Sequence, residues 1–431
     1  MNTKQHTPLR AGLLGEHLSH SFSPQIHKAL VGNRYTYEIY ERDPADLETF
    51  IKGHEWDAIN VTIPYKKAVM PYLDEISPEA QRIGAVNTVT RLPDGRLRGD
   101  NTDYFGFERT LKACGCDITG KKALILGNGG AAATAVNVLR DKGAHVIVLA
   151  IDGLPVGGIT PEGYETVYDR HSDAAIVVNC TPIGMYPKFV GQKLVELMKL
   201  PHVEAVFDMV YNPARTALIQ EAMGLGIPAY NGLLMLVAQA KRAAELFLGE
   251  DISDDRIDPI VGSISRETQN IILIGMPGCG KTTIGRALAQ ALGRPLVDTD
   301  AMIVESAGRS IPDIFATDGE EVFRTYETEA VKAAGMMSGA VISTGGGVVT
   351  RERNYAPLSQ NGRIIFIRRE LEELPVDGRP ISQSTPKAEL YAKRLPLYNA
   401  FADVDVENNG SVNEAVETIL ALLGYGGLHY G

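Results

Sequence analysis

Residues 121–132 read KKALILGNGGAA, and this stretch decides the fold of the first half of the chain. An apolar strand, KKALIL, runs into a glycine-rich turn and then into a helical pattern. Glycines at such a turn let the backbone approach a pyrophosphate at the N-terminus of the following helix. The later segments HVIVLA, AAIVVNC and AVFDMVY are typical of strands in a parallel sheet buried on both faces. We predict a Rossmann-like unit, with a glycine-rich turn that binds no ligand as the alternative.

The residues expected to hold the dinucleotide lie in this turn and at the end of the next strand. At that end an acidic residue accepts a hydrogen bond from the ribose 2′-hydroxyl of NAD, whereas an arginine meets the 2′-phosphate of NADP. This chain has Asp152 there and no arginine. Asp152 would repel a 2′-phosphate and so favours NAD, unless it is a loop carboxylate that faces water. The cofactor-binding residues expected in the turn are Gly127, Gly129, Gly130, Ala131 and Ala132.

A second glycine-rich turn, GMPGCGKT at 275–282, decides the fold of the other half. It follows the strand NIILI and satisfies the P-loop pattern G-x-x-x-x-G-K-[ST]. In a P-loop the backbone N–H groups cradle phosphates, the lysine (here Lys281) reaches the β- and γ-phosphates, and the hydroxyl (here Thr282) ligates Mg²⁺. The pattern predicts an α/β kinase domain of the P-loop NTPase type. The residues expected to bind ATP are Gly278, Gly280, Lys281, Thr282 and Thr283.

The two turns divide an α/β chain into domains. Residues 1–105 alternate strands and helices, which predicts a substrate-binding domain completed by a returning helix at 230–249. Residues 106–229 form the dinucleotide-binding domain. Residues 250–269 have acidic clusters and little apolar periodicity, so we interpret them as a linker. Residues 270–425 form the kinase domain.

The composition excludes several classes of protein. The chain has 431 residues, 44% hydrophobic and 22% charged, which is typical of a globular protein. Its 42 basic and 53 acidic side chains give a net charge of −11, so no nucleic-acid partner is expected. No run approaches the roughly 18 apolar residues of a membrane span, so no membrane association is expected. Four cysteines and the lack of a signal-like segment indicate a cytoplasmic protein.

Three polar clusters of the first domain each follow an apolar segment. A lysine beside an aspartate suits proton transfer in a carbonyl–alcohol interconversion, because a protonated amine stabilises the developing alkoxide. Lys66 and Lys67 compete for the role of the lysine, and Asp103 is the candidate carboxylate. Each is an ordinary surface charge if the fold does not bring them together. The clusters are NVTIPYKKAV (60–69), GAVNT (84–88) and GDNTDYFG (99–106).

Eight motifs, in order over residues 8–248, resemble those of the shikimate dehydrogenase family. They are GEHLSHSFSPQIH (15–27), NVTIPYKK, GAVNT, GDNTDYFGF, GNGGAA, NCTPIGM (179–185), FDMVYNP (207–213) and NGLLMLVAQA (231–240). The resemblance implies that Lys66 and Asp103 are the catalytic pair and that Gly232 lies near the nicotinamide. It also implies that two serines hold the substrate carboxylate and that other polar residues hold the ring hydroxyls. These substrate-binding residues are Ser21, Ser23, Thr62, Asn87, Tyr211 and Gln239.

The chain departs from this family at the adenosine end of the cofactor. Members that use NADP have an Asn-Arg-Thr clamp where this chain has Ala150-Ile151-Asp152. The family resemblance implies NADP, whereas Asp152 favours the alternative, NAD.

In the second half, carboxylates and arginines follow the P-loop. In LVDTD, Asp298 and Asp300 are expected on alternate sides of a strand end, one for the metal and one for a substrate hydroxyl. Arg324, Arg379 and Arg394 are candidates for clamping carboxylate or phosphate through bidentate hydrogen bonds, and each alone is equally a surface charge. The glycines of STGGG (343–347) offer backbone for the close approach of a ligand.

Residues 270–422 resemble the shikimate kinase family, again with the motifs in order. They are the P-loop, DTD, GEEVFRTYE (319–327), STGGGVV, DGRP (377–380) and KRLPLY (393–398). The resemblance implies Asp300 at the reacting hydroxyl, with Lys281 and Arg379 on the transferring phosphate and Arg379 in a lid over ATP. Mg²⁺ would be held by Thr282 and Asp298. The implied shikimate-binding residues are Asp300, Arg324, Gly346, Gly347 and Arg394.

Together the resemblances imply a bifunctional enzyme of aromatic amino-acid (chorismate) biosynthesis. The first half would reduce 3-dehydroshikimate to shikimate, and the second would phosphorylate shikimate to shikimate 3-phosphate with ATP and Mg²⁺. One alternative is a quinate-type dehydrogenase fused to another small-metabolite kinase. Another is a sensor that binds nucleotides or metabolites without turnover.

Overall fold

The computed structural model of the chain describes residues 9–18, 21–374 and 386–425. It divides into two compact units. The first consists of Met1–Met185, Gln192–Tyr211 and Leu218–Ser263, and the second of Tyr186–Gly191, Asn212–Ala217 and Ile264–Gly431. Among the described residues, no helix combines the length and the apolar character needed to cross a membrane.

The first unit begins with a six-stranded mixed sheet. Its strands are β1 (Leu9–Gly15), β2 (Tyr35–Glu41), β3 (Ala58–Val61), β4 (Glu75–Ile76), β5 (Thr88–Arg91) and β6 (Leu97–Asp100), and the connecting helices are α1 (Ser23–Val31), α2 (Leu47–Lys52), α3 (Tyr65–Ala68) and α4 (Pro78–Ile83). The strand order is β2-β1-β3-β5-β6-β4. β5 runs antiparallel to β3 and β6, and the other pairs are parallel.

A five-stranded parallel sheet follows, as the apolar runs predict. Its strands are β7 (Lys122–Leu126), β8 (His145–Leu149), β9 (Ile176–Asn179), β10 (Ala205–Asp208) and β11 (Ala229–Tyr230), in the order β11-β10-β9-β7-β8, and the helices are α5 (Asp103–Cys114), α6 (Gly130–Asp141), α7 (Val167–Arg170), α8 (Ala217–Gly224) and α9 (Leu233–Leu248). Alternate residues of β7 enter two different hydrophobic clusters, Ala123 and Ile125 one of them and Leu124 and Leu126 the other. Both faces of β7 are therefore buried, which explains its unbroken apolar sequence.

The second unit is built on another five-stranded parallel sheet. Its strands are β12 (Asn270–Ile274), β13 (Leu296–Asp298), β14 (Val341–Ser343), β15 (Gly362–Arg368) and β16 (Val404–Glu407), in the order β13-β14-β12-β15-β16, and the helices are α11 (Lys281–Leu292), α12 (Thr299–Ala307), α13 (Ile311–Gly335), α14 (Tyr355–Asn361), α15 (Lys387–Phe401) and α16 (Val412–Leu422). The central strand β12 is buried along its whole length. Helix α13 is interrupted at Gly319, whose φ of 82° lies in the left-handed region that favours glycine.

The segment 250–269, which we interpret as a linker from its weak apolar periodicity, contains helix α10 (Ile257–Thr268). Its Ile257, Ile260 and Ile264 are buried and share one face, because residues three and four apart lie side by side on a helix. Pro259 is tolerated in the first turn, where the missing N–H has no partner to lose. The periodicity is weak because the helix is short and contains both Pro259 and Gly262.

Helices α5 and α9 approach each other closely at Gly106. A Cβ atom there would lie 2.7 Å from the Met235 carbonyl oxygen and 3.1 Å from the Cβ of Gln239. We predict that Gly106→Ala lowers the free energy of unfolding by about 1–3 kcal/mol, because the added methyl group forces the helices apart. The measurement is urea denaturation followed by the fluorescence of Trp56, the single tryptophan, which is buried in the first unit.

Gly224→Ala is the matched control for this prediction. Gly224 ends helix α8, and a Cβ atom there would meet nothing within 4 Å. This variant should keep or raise the stability, by up to about 1 kcal/mol, since glycine weakens a helix. Equal stability of the two variants would show that the α5–α9 contact does not limit the fold.

Candidate active sites

A cavity of about 750 Å³ lies in the first unit, bordered by the carboxyl end of β3 and the start of α9. Its lining contains all six residues that the sequence predicts for binding the dehydrogenase substrate. It also contains both members of the expected catalytic pair, the glycine expected near the nicotinamide and one residue of the first glycine-rich turn. These lining residues are Ser21, Ser23, Thr62, Asn87, Tyr211 and Gln239, together with Lys66, Asp103, Gly232 and Ala131.

Lys66 and Asp103 are in direct contact although 37 residues separate them. The Lys66 Nζ lies 2.6 Å from Asp103 Oδ2, and both side chains are largely buried. Asp103 is the first residue of α5, where the helix dipole favours a negative charge. Lys67 is exposed and does not line the cavity. The geometry therefore selects Lys66 over Lys67 as the partner of Asp103.

Asn87 and Gln239 are linked by the hydroxyl of Thr102. The Asn87 Oδ1 accepts hydrogen bonds from the Thr102 backbone N–H at 2.7 Å and from the Thr88 hydroxyl at 3.1 Å. The Thr102 hydroxyl also lies 3.3 Å from Gln239 Oε1. These contacts join β5, the N-terminus of α5 and helix α9, so the two amides that the sequence assigns to ring hydroxyls are held in a fixed relation.

The two serines and Tyr211 lie elsewhere on the wall of the cavity. Ser21 Oγ donates to Ser23 Oγ at 3.1 Å, at the N-terminus of α1. Burial raises the pKa of Tyr211, so its phenol stays protonated at neutral pH. The serine and tyrosine hydroxyls are all uncharged donors, which suits an oxyanion that must be released again.

Sequence reasoning missed Asn60, which also lines this cavity. Its amide nitrogen donates to the Thr88 hydroxyl at 3.2 Å, and its Oδ1 accepts from the Tyr37 hydroxyl at 2.8 Å. The signal was present, because Asn60 is the single polar residue in the fully buried strand AINV. A buried amide in a strand requires partners and so marks a polar site.

The first glycine-rich turn has the features of a phosphate-binding loop. Gly127 has a φ of 98°, and a Cβ atom there would lie 2.6 Å from the Thr181 side chain. A Cβ atom at Gly129 or Gly130 would meet nothing within 4 Å, so the start of α6 is open to a ligand. At Gly232 a Cβ atom would lie 2.2 Å from the Met209 carbonyl oxygen. These residues fit a dinucleotide whose pyrophosphate meets the N-terminus of α6.

Asp152 follows β8 and is exposed, beside this turn. Its Oδ1 accepts hydrogen bonds from the Asn128 side chain and, at 3.0 Å, from the Leu154 backbone N–H. No lysine or arginine occurs between Ala150 and Gly163. The adenosine end of this site therefore presents a carboxylate and no cation from its own loop.

In the second unit, Lys281 folds back over the P-loop. Its Nζ donates to the carbonyl oxygens of Gly275 and Met276, each at 3.0 Å. The loop borders a cavity of about 190 Å³, whose lining includes the five residues expected to bind ATP at the P-loop. The Thr282 hydroxyl lies 3.3 Å from Asp298 Oδ2 and 3.1 Å from the Ser343 hydroxyl. A hydroxyl, a lysine and a ring of backbone N–H groups fit the phosphates of a nucleotide.

The placement of Asp298 and Asp300 corrects the sequence-based expectation. We expected both on one strand end, but β13 ends at Asp298 and Asp300 lies in the first turn of α12. Asp298 caps that helix, because its Oδ1 accepts from the backbone N–H groups of Asp300 and Ala301 at 3.0 and 3.4 Å. The two carboxylates are thus separated by the start of a helix, whereas on a continuing strand residues two apart would have shared one face.

The STGGG loop gathers the other kinase residues around its backbone. A Cβ atom at Gly345 would lie 2.7 Å from Asp300 Oδ1, and one at Gly347 would lie 2.2 Å from an Arg324 nitrogen. Arg394 donates to the Gly346 carbonyl oxygen at 3.1 Å. The structure thereby brings together Asp300, Arg324, Arg394 and the two glycines expected to bind substrate. Arg379 lies outside the described residues.

Arg324 is buried and held by two acidic residues that sequence reasoning did not select. It donates to Glu327 Oε2 at 2.7 Å and to Glu320 Oε1 at 2.9 Å. Burial raises the pKa of Glu327, and the neighbouring Arg324 guanidinium offsets part of that shift. A guanidinium fixed in this way keeps its remaining hydrogens aimed at a ligand.

The expected metal ligands form no cage made of protein side chains alone. Among the described residues, no group of three or more His, Cys, Asp or Glu side chains is arranged to hold a metal ion. Thr282 and Asp298 are nevertheless in contact. A hydroxyl and one carboxylate fit Mg²⁺ in kinases, because phosphate oxygens and waters supply its other ligands.

These two sites define the class of protein: a dinucleotide-binding oxidoreductase joined to a P-loop phosphotransferase. The shikimate dehydrogenase substrate-binding domain family matches residues 13–89, and the shikimate kinase family matches residues 277–423. Shikimate dehydrogenase (NADP(+)) of Symbiobacterium thermophilum is 37% identical over 260 residues, which cover 55% of this chain and 88% of the relative. The chain belongs to the shikimate dehydrogenase family, and it carries a shikimate kinase domain as well.

Solved structures agree with this membership. Shikimate 5-dehydrogenase of Thermus thermophilus, in complex with NADP(H) and shikimate, is 32% identical with a TM-score of 0.53 and covers 59% of this chain and 98% of its own. Shikimate 5-dehydrogenase of Listeria monocytogenes, in complex with shikimate and NAD, is 29% identical with a TM-score of 0.53 and covers 61% and 99%. The protein is a bifunctional enzyme of the shikimate pathway, with dehydrogenase and kinase activities on small-molecule substrates.

The contact between Gly347 and Arg324 generates a prediction for the kinase. Gly347→Ala places a methyl group where the Arg324 guanidinium lies, and Glu320 and Glu327 leave that guanidinium little room to move. We expect the KM for shikimate in the kinase reaction to rise about 10- to 100-fold, which corresponds to the loss of one charged hydrogen bond. Kinase initial rates at varied shikimate measure it.

Dehydrogenase rates of the same Gly347→Ala protein serve as the internal control and should equal those of the wild type. An unchanged KM for shikimate would show that Arg324 does not hold the substrate from this position.

Proposed function

We propose that the first unit reduces 3-dehydroshikimate to shikimate at the cavity containing Lys66 and Asp103, and that the second phosphorylates shikimate beside the P-loop. The domains proposed for these steps are residues 1–249 and 270–425. The observation that carries the first assignment is the 2.6 Å contact between Lys66 and Asp103, in a cavity lined by all six expected substrate-binding residues. For the second, it is the convergence of Asp300, Arg324 and Arg394 on the STGGG loop.

In the dehydrogenase, Lys66 is the proton donor to the carbonyl oxygen that becomes the new hydroxyl. Asp103 holds the Lys66 ammonium in place, so that it meets the negative charge that develops on that oxygen as the hydride arrives. Ser21 and Ser23 hold the carboxylate, and Thr62, Asn87, Tyr211 and Gln239 hold the ring hydroxyls. A bound NADPH or NADH supplies the hydride, and bound ATP with Mg²⁺ supplies the phosphoryl group to the other site.

In the kinase, Asp300 orients the reacting hydroxyl of shikimate and accepts its proton. Arg324 and Arg394 bind the substrate carboxylate, and the backbones of Gly346 and Gly347 allow its close approach. Lys281 leaves the carbonyl groups of its own loop to bind the phosphates, where it neutralises transferring charge. Thr282 and Asp298 are the proposed protein contacts of Mg²⁺, and Arg379 is proposed for the lid over ATP.

Two alternatives predict different results. A quinate-type dehydrogenase fused to another kinase would turn over other hydroxy acids faster than shikimate. A sensor without turnover would bind nucleotides only, and the closely paired Lys66 and Asp103 argue against it.

Two lysine substitutions separate the activities. We expect Lys66→Ala to reduce dehydrogenase kcat about 10²- to 10⁴-fold, because the proton donor is lost. Its kinase activity should remain. Lys281→Ala should do the reverse, with kinase kcat lowered about 10²- to 10³-fold through the loss of one preorganised cation. Mass spectrometry of shikimate and shikimate 3-phosphate measures both, and each variant is the control for the other.

If Lys66→Ala keeps the dehydrogenase activity, the assignment of the dehydrogenase site is refuted. If Lys281→Ala keeps the kinase activity, the assignment of the kinase site is refuted. Loss of both activities in one variant, with unfolding excluded by circular dichroism, would contradict the assignment of separate sites.

The cofactor preference follows from Asp152. The Thermus thermophilus relative holds NADP(H) and the Listeria monocytogenes relative holds NAD. In this chain the exposed Asp152 carboxylate would face the 2′-substituent of the ribose, without a cation from its own loop to attract a phosphate. We propose that Asp152 weakens the use of NADPH and admits NADH.

Asp152→Asn tests this cofactor proposal because it removes the charge and keeps the shape. We expect the ratio of kcat/KM for NADPH to that for NADH to rise roughly tenfold, from the loss of a like-charge repulsion. Glu162→Gln is the control, since it removes a carboxylate from the same segment that is already paired with Arg170. A ratio that does not change in Asp152→Asn, or that changes equally in both variants, contradicts a specific role of Asp152.

A further inference from the structure

A group of aromatic and polar side chains lies beside the dehydrogenase cavity and contacts Asn60 of its lining. His27 of α1 stacks on Tyr37 of β2, with ring centroids 4.0 Å apart and an interplanar angle of 17°. The Nδ1 of His27 lies 2.6 Å from the Tyr35 hydroxyl. Tyr35 and Tyr37 are two residues apart on one strand and so face the same side of the sheet. None of these three side chains lines the cavity itself.

Tyr37 differs from Tyr35 in what its hydroxyl contacts. The Tyr37 hydroxyl donates to Asn60 Oδ1 at 2.8 Å. In the parallel register Tyr37 is paired with Ala11 of β1, and Asn60 with Leu13 of β1. Because Ala11 is small, the phenol can lie across β1 and reach the next strand. The hydroxyl of Tyr35, by contrast, ends on His27.

Asn60 connects the Tyr37 hydroxyl to the other amides of the site. Its amide nitrogen donates to the Thr88 hydroxyl at 3.2 Å, and that hydroxyl donates to Asn87 at 3.1 Å. The phenol of Tyr37 therefore stands at the end of a chain of hydrogen bonds that runs through Asn60 and Thr88 to Asn87.

We propose that Tyr37 is a positioning residue of the dehydrogenase site: its hydroxyl holds the Asn60 amide, which lines the cavity, in a fixed orientation. This inference rests on the proposed function of the cavity. A rigid substrate that carries ring hydroxyls binds well only when the amides that meet those hydroxyls keep the positions that match it. Tyr37 acts on binding rather than on chemistry, because it does not touch the contact between Lys66 and Asp103.

The neighbouring imidazole does not introduce a charge into this region. Burial lowers the pKa of His27 to about 3. The titratable groups that face it are the phenols of Tyr35 and Tyr37, and the ring of Phe247 packs against it from α9. His27 is therefore neutral at any pH used for the assay, so a change at Tyr37 removes one hydrogen-bonding group without altering the charge.

Tyr37→Phe tests the proposal, with Tyr35→Phe as the matched control. Both variants delete one phenol oxygen from the same stack and keep both rings. We expect Tyr37→Phe to raise the KM for shikimate and 3-dehydroshikimate about tenfold, because Asn60 loses a buried donor, while kcat changes less than about twofold. The KM for the dinucleotide and the kinase constants should stay at wild-type values. Tyr35→Phe should leave the substrate KM unchanged.

A double-variant cycle tests whether Tyr37 acts through Asn60. If it does, adding Tyr37→Phe to Asn60→Ala should raise the substrate KM by much less than it does in the wild type. If each substitution instead raises the substrate KM by the same factor with or without the other, the proposal is overturned. Equal changes in KM for Tyr35→Phe and Tyr37→Phe would also overturn it, because they would point to general packing.

The failure of this inference can be distinguished from the failure of the proposed function. If the wild-type enzyme does not interconvert 3-dehydroshikimate and shikimate, the assignment of the cavity fails. If the wild type is active and the KM of Tyr37→Phe for shikimate equals that of the wild type, only the positioning role of Tyr37 is refuted. The fluorescence of Trp56 and the retained kinase activity show that each variant is folded.

Discussion

Both active sites depend on glycines at positions where any side chain would collide with a neighbouring group. A Cβ atom at Gly232 would lie 2.2 Å from the Met209 carbonyl oxygen, and one at Gly347 would lie 2.2 Å from the Arg324 guanidinium. Helix α9, which carries Gln239, can begin where it does only because residue 232 has no side chain. In the kinase, the STGGG backbone lies against an arginine and an aspartate at distances that leave no room for a methyl group. Close approach of backbone to functional groups is thus the constraint shared by the two active sites.

The charged groups are organised differently in the two units. In the dehydrogenase cavity one cation, Lys66, is paired with the Asp103 carboxylate, and the other groups proposed to bind the substrate are hydroxyls and amides. In the kinase, Arg324 is buried with Glu327, and each would be costly to bury alone. The carboxylates of Glu320 and Glu327 allow Arg324 to stay charged inside the protein. The acidic partners of Arg324 are therefore as necessary to the proposed substrate clamp as Arg324 itself.

Much of the fold could be predicted because its signals are local. The strand–turn–helix units around Gly127 and Lys281 need only a dozen residues each to be recognised. The apolar strands of the parallel sheets follow the same logic. The helix at Ile257–Thr268 gave only a weak signal because Pro259 and Gly262 lie between its three buried isoleucines. The position of Asp300 was missed because strand alternation was assumed to continue where a helix begins.

The site could be predicted only where a motif already contained the residue. Lys66 and Asp103 were found as separate candidates, but no sequence spacing could show that they touch, because their contact joins two helices that are 37 positions apart in the chain. Asn60 and Tyr37 were missed for a related reason. Tyr37 looks like an ordinary strand residue, and Asn60 is marked only as a polar residue in a buried strand. Nothing in the sequence shows that a hydrogen bond across β1 joins them. Long-range hydrogen bonds of this kind leave no local pattern in the sequence.

The two proposed clamps for the shikimate carboxylate differ in a way that suits consecutive reactions. Hydroxyls, as in Ser21 and Ser23, hold an anion by dipoles alone, so their hold on substrate and product is weak and nearly equal. Arg324 and Arg394 hold it by charge, and hydrogen bonds to a charged donor contribute about 1.5–3 kcal/mol each, more than neutral ones. The step that makes shikimate must release it, whereas the step that consumes it must capture it from dilute solution. The weaker clamp therefore belongs with the dehydrogenase and the stronger one with the kinase.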